Sequence, residues 1–139
     1  MSRTIVVVGF GPGISTAVAE KFGAEGFSVA LVARDEARLA TGVAALEVRG
    51  VTAVAIPADA SDPAAVRAAI DKARAALGPI TVIHWNAYGG TEAGDLMAVD
   101  PAAVRTVFDV AIIGGNRLKC VGPSIGAARK PSFSAMESS

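Results

Sequence analysis

The clearest chemical signal in the chain is a run of seven residues, Gly9-Phe10-Gly11-Pro12-Gly13-Ile14-Ser15. Its glycines permit a tight turn with positive φ and let backbone N–H groups come close to an anion. An apolar run, Thr4–Val8, precedes it, and Ile14, Val18 and Phe22 follow at helical spacing. A helix starting here adds unpaired N–H groups and the positive end of its dipole, both of which suit a pyrophosphate. An ordinary glycine-rich strand–helix turn has the same composition. The strand before it and the helix after it favour dinucleotide binding. The Gly-Lys-Ser/Thr of ATPase phosphate loops is missing, which excludes that chemistry.

Such a turn needs strands and helices in alternation to position it, and the chain supplies them. Thr4–Val8, Ser28–Val32, Val51–Ile56 and Ile80–Trp85 read as strands. The first is continuously apolar, as in parallel sheets buried on both faces. Helices are predicted over Ile14–Ala24 and from the cap residue Asp35 through Leu39, Val43 and Leu46 to Gly50. A third runs from Asp62-Pro63 through Val66, Ile70 and Leu77 to Gly78-Pro79, with proline where a missing N–H does no harm. Asp100-Pro101 repeats that opening, and Val104, Val107, Phe108 and Ala111 continue at helical spacing. The order β-α-β-α-β-α-β-loop-α implies right-handed crossovers. The expected fold class is α/β: a Rossmann-type doubly wound parallel sheet, incomplete, with about four strands and flanking helices.

Composition narrows the function. The 139 residues are one domain's worth, 52% apolar and 19% charged, with ample material for a core. Basic and acidic residues number 13 each, so no positive excess marks a nucleic-acid binder. One Cys and one His cannot build a disulfide framework or a multi-ligand zinc site. No apolar run reaches the length of a membrane helix, and the N-terminal run is too short for a signal peptide. A cytoplasmic location is expected. Charge is unevenly spread: residues 1–115 hold 9 basic and 12 acidic groups, a net of −3. Residues 116–139 hold Arg117, Lys119, Arg129 and Lys130 against Glu137, a net of +3, among five serines. The expected organisation is a partial dinucleotide-binding domain over 1–115 and an irregular basic tail over 116–139.

Several spaced motifs together resemble the short-chain dehydrogenase/reductase family over residues 3–114. Gly9, Gly13 and Ser15 fall on its Gly-x-x-x-Gly-x-Gly pattern, with serine in the last place. Asp59, in Ala58-Asp59-Ala60, matches the aspartate that hydrogen-bonds the adenine ring. Trp85-Asn86-Ala87-Tyr88 resembles Asn-Asn-Ala-Gly, keeping the middle pair. The resemblance implies that a nicotinamide dinucleotide is held by Gly9, Gly11, Pro12, Gly13, Ile14, Ser15, Arg34, Asp59, Ala60, Asn86, Ala87 and Tyr88. An acidic residue ending the second strand would hold the ribose hydroxyls of NAD and repel a 2′-phosphate. Ala33 stands there and Arg34 follows, whose guanidinium can bind phosphate in a bidentate fashion. NADP is therefore expected in preference to NAD; the alternative is that Arg34 is a solvated charge paired with Asp35 or Glu36. Arg38 reads as structural.

The resemblance further implies hydride transfer between the nicotinamide and a small carbonyl or alcohol substrate, assisted by a Tyr-x-x-x-Lys pair, a Ser and an Asn. The single tyrosine, Tyr88, lies outside that frame with Glu92 four residues on, and Ala111 stands in the place of the Asn. Phe133-Ser134-Ala135-Met136-Glu137 lacks both the hydroxyl and the lysine. No catalytic residue and no metal ligand is assigned. The change at Gly114-Gly115 suggests truncation or a frameshift. The other reading is a non-catalytic dinucleotide module. A sheet that stops at a fourth strand has an unpaired edge, from which self-association is expected. His84 reads as a hydrogen-bonded core histidine, and Trp85 either flanks the nicotinamide or fills the sheet edge. Tyr88 either touches the cofactor or is a loop aromatic, Cys120 reads as a solvent thiol, and Met97 as packing.

Overall fold

The computed structural model describes residues 2–88 and 100–114. Expectations for Glu92, Met97, Cys120 and the 116–139 tail lie outside them. The strands are β1 (Arg3–Val8), β2 (Phe27–Ala33), β3 (Ala53–Pro57) and β4 (Ile80–Trp85). Between them lie α1 (Ile14–Ala24), α2 (Glu36–Val48) and α3 (Pro63–Leu77). After β4 come α4 (Pro101–Phe108) and a π-helical turn, Asp109–Gly114.

Every strand pair is parallel, in the order β3-β2-β1-β4. The chain steps outward from β1 to β3 and then returns to lay β4 on the other side of β1. At β1 and β4 the connections leave in opposite directions, so a crevice opens outside the carboxyl ends of these two strands.

β1 lacks polar alternation because both its faces are covered. Ile5 and Val7 pack with Val29 and Leu31 beneath Ala19 of α1 and Leu39 and Leu46 of α2. Val6 and Val8 pack with Ala30 and Val32 beneath Val66, Ala69, Ile70 and Ala73 of α3. Burying each such aliphatic side chain is worth about 1.5–3 kcal/mol over leaving it exposed. Under the glycine-rich turn the packing is tight at Gly42, where a Cβ would meet the Phe10 ring at 2.5 Å.

Three helices begin on an aspartate, as their sequences indicate. Asp35, Asp62 and Asp100 accept the N–H groups of Arg38, Ala64 and Ala102, each at 3.0 Å. A cap of this kind is worth about 1 kcal/mol. α1 begins instead on Gly13, at φ 93° and without a side-chain cap.

β4 and α4 are held less firmly. Ile83 is 40% exposed, α4 buries none of its residues, and Val104 and Phe108 are 43% and 55% exposed. The helical spacing through Ala111 predicts one continuous helix, yet the α-geometry ends at Phe108. The Trp85 indole N–H donates to the Val110 carbonyl at 3.1 Å, and the wider π-turn lies where that carbonyl is drawn off. Trp85 thus fills the sheet edge on the α3 side. The hydrogen bond expected of His84 is not made at Nε2, which is buried without a partner among the described residues. No described helix is long and apolar enough to cross a membrane.

Candidate functional site

The crevice is built from the seam between β1 and its neighbours. The N–H groups of Gly9 and Phe10 both donate to the Val32 carbonyl, at 2.9 and 3.0 Å, folding the turn onto the end of β2. Gly9 has φ 83°, and a Cβ there would lie 2.7 Å from the Asn86 carbonyl carbon and closer still to the Ala87 backbone. Only glycine fits. The Asn86 N–H donates to the Val8 carbonyl at 2.9 Å, which fixes the end of β4 against β1.

Ser15 braces this junction. Its buried hydroxyl donates to the Gly9 carbonyl at 3.1 Å and accepts from Asn86 Nδ2 at 2.9 Å. Thr16 Oγ1 donates to the Gly11 carbonyl at 2.9 Å, so the turn is tied twice to the first turn of α1. The residue in the last glycine's place therefore spends its side chain on the scaffold, and this brace was invisible from spacing alone.

The far wall follows β2 and β3. The Ala58 N–H donates to the Ala33 carbonyl at 2.9 Å, which carries the chain after β3 alongside the end of β2. Asp59 Oδ1 accepts from both the N–H and the hydroxyl of Ser61, at 2.9 and 2.7 Å. These two bonds, with a smaller contribution from the Arg34 charge, hold the Asp59 carboxyl below the usual carboxylate range against a partial burial cost. Arg34 forms no ion pair among the described residues. Asp35 approaches Arg38 instead, at 4.0 Å.

These walls enclose a cavity of about 820 Å³. Of the predicted residues, Gly9, Gly11, Pro12, Arg34, Asp59, Ala60, Asn86, Ala87 and Tyr88 line it. Gly13, Ile14 and Ser15 open α1 beside it. Sequence reasoning missed Phe10, Asp35, Arg38, Ser61, Thr106 and Val110, which line it as well. Ser61 had a readable signal, because an Asp with a Ser two residues on is an Asx-turn pattern. Thr106 and Val110 stand four apart on one helical face, but nothing in the sequence says which way that face turns. The arrangement offers backbone amides and a helix start at one end, with a fixed carboxylate and a free guanidinium at the other.

In doubly wound sheets a cleft at such a switch point is where ligands bind, and the family to which the chain belongs follows from comparison. The family model "short chain dehydrogenase" matches residues 3–118, and the chain belongs to that family. Among individual proteins, it is 31% identical over 130 residues to a 3-dehydrosphinganine reductase of Arabidopsis thaliana, covering 92% of this chain and 38% of that one. Its fold is similar to that of a short chain dehydrogenase/reductase from Burkholderia phymatum in complex with NAD, with 30% identity and a TM-score of 0.78 over 86% of this chain and 42% of the other. A metagenomic short-chain oxidoreductase in complex with NADP gives 29% identity and a TM-score of 0.77, over 86% and 54%. The chain therefore spans well under two thirds of each of these proteins.

Proposed function

We propose that residues 1–115 bind NADP, as the cofactor-binding part of an oxidoreductase that moves a hydride between the nicotinamide and a carbonyl or alcohol carbon of a small molecule. The observation that carries this reading is the meeting of the glycine turn, Asp59 and an ion-pair-free Arg34 in one cavity. The cavity's donors suit a dinucleotide: Gly13 at the start of α1 has no side-chain cap, so its first N–H groups remain available for a pyrophosphate. Arg34 would take the 2′-phosphate, Asp59 the adenine amino group, and Asn86 to Tyr88 the wall beside the nicotinamide half. When bound, the cofactor supplies the hydride-accepting or hydride-donating carbon. The chain's own part is to bind and orient it; no described residue is assigned the proton transfer.

A second reading, a dinucleotide module without catalysis, is favoured by one feature. Where the resemblance implies a substrate-orienting Asn the chain has Ala111, and the neighbouring Val110 carbonyl is occupied by Trp85. Fluorescence titration with NADPH and NADH tests the cofactor, and turnover with a panel of small ketones separates the two readings. Tighter binding of NADPH supports NADP; equal or preferential NADH binding overturns that choice, and no binding of either overturns the proposal.

A further inference from the structure

The glycine turn is open in its middle and anchored at its ends. Gly11 is half-buried and Pro12, Gly13 and Ile14 are exposed, whereas Phe10 and Ser15 are both buried. Ser15 holds its end through hydrogen bonds to Gly9 and Asn86. Phe10 holds the other by packing: its ring enters the core beside Leu31 and Leu39. α2 makes room for that ring. Gly42 stands in the middle of the helix, where glycine is a poorer helix former than alanine. Its φ is not positive, so the backbone does not require glycine there. Space does. A Cβ would lie 2.5 and 2.6 Å from two carbons of the Phe10 ring and 2.9 Å from Leu31 Cδ1, closer than real Cβ atoms pack. The ring thus occupies the socket that the missing methyl group leaves.

We infer that Phe10, seated at Gly42, is a positioning residue for the glycine turn: it clamps the start of the turn to α2, so that the exposed arc up to Ser15 presents its backbone N–H groups to the pyrophosphate. The inference rests on the proposed binding of a nicotinamide dinucleotide. A turn rich in glycine has many backbone conformations open to it, and each that turns an N–H aside weakens the hold on an anion. An alanine at position 42 is admitted only by lifting the ring. Lifting the ring moves the backbone that carries it, whose N–H is bonded to the Val32 carbonyl at 3.0 Å. Gly42 itself is not among the residues lining the cavity, so its substitution reaches the ligand only through the turn.

The test is a cycle of Gly42→Ala, Phe10→Leu and the double variant, with circular dichroism to verify the fold. The probes are NADPH and NADH, and ADP and adenosine as displacers of bound NADH. Gly42→Ala is expected to weaken NADPH, NADH and ADP alike, about tenfold, while adenosine, which has no phosphate, changes less than about twofold. Phe10→Leu alone should weaken the same three about threefold. In the double variant the smaller side chain leaves room for the new methyl group, and affinity should return to that of Phe10→Leu. Unchanged affinity in a folded Gly42→Ala variant, no rescue by Phe10→Leu, or adenosine weakened as much as ADP overturns the inference and leaves the proposed function standing. Should Gly42→Ala not fold, Phe10→Leu decides by the same split between ADP and adenosine, and the absence of that split overturns the inference. A wild-type chain that binds neither dinucleotide removes both.

Discussion

The β1–β2–β3 side of the molecule and its β4–α4 side are built to different standards. On the first, the strands lie between packed helices, and the side chains Arg34 and Asp59 line the cavity directly. On the second, the edge strand is half covered and no residue of α4 is fully buried; this side lines the cavity with Asn86, Ala87, Thr106, Val110 and the exposed Tyr88. On the proposed reading, the cofactor-binding side chains sit where packing fixes them, and the side that would face a substrate is the less constrained one. Precision in placing a charged group requires a rigid support beneath it.

The largest disturbance should come at the seam that joins the two sides. Gly9→Ala forces a Cβ into the Asn86–Ala87 backbone at a positive φ. It should destabilise the fold by about 3 kcal/mol or more in urea unfolding and abolish dinucleotide binding with it. Next comes a change confined to the firm side: Arg34→Glu should lower NADPH affinity by about 10–100-fold, leave NADH affinity equal or better, and leave unfolding unchanged. A change on the loose side should do less. Trp85→Phe keeps an aromatic side chain, smaller than the indole, and removes the bond to the Val110 carbonyl, at a cost of about 1 kcal/mol in unfolding. If Trp85→Phe proved as damaging as Gly9→Ala, the contrast between the two sides would be wrong.

The smallest effect should be the pH dependence of Asp59. Its folded-state pKa is depressed, so its contribution is present above the pKa of the unfolded chain and is lost as pH falls through the lower folded value. The affinity for NAD, which has no 2′-phosphate titrating at about pH 6, should therefore stay flat from neutrality through the ordinary carboxylate range and fall only in stronger acid. Ser61→Ala, which removes one of the two bonds that depress this pKa, should move the fall upward. A fall at unchanged pH in that variant would show that Ser61 does not set it.

Much of the fold was legible because its signals are local. Runs of β-branched residues, the aspartate caps and Pro63 and Pro101 announce elements through short-range chemistry, and α1 and β4 begin and end where their sequences indicate. The glycine turn, Arg34 and Asp59 could be read together because each follows directly on a strand end. What was not legible depends on contacts far apart in sequence. Ser15 is a brace only because Asn86, 71 residues on, reaches it. The helix after Asp100 turns to π-geometry near a carbonyl that Trp85 takes from 25 residues away. Arg38 reads as structural in the sequence, and it lines the cavity because α2 lies beside the turn. His84 sits where an apolar residue would serve, and nothing in the structure explains its unpartnered Nε2.

Among the described helices, α1 alone starts without an aspartate to satisfy its first amides. On the proposed reading, the anionic cofactor takes over the part that Asp35, Asp62 and Asp100 play elsewhere, so folding and ligation draw on the same free energy. At a hundredfold excess over Kd, such linkage adds about 2.7 kcal/mol to stability. Limited proteolysis with and without NADPH would show it as slower cleavage. On that reading, the lifetime of this chain in a cell would track the nucleotide pool: the protein would persist where the cofactor is plentiful and be cleared where it is scarce.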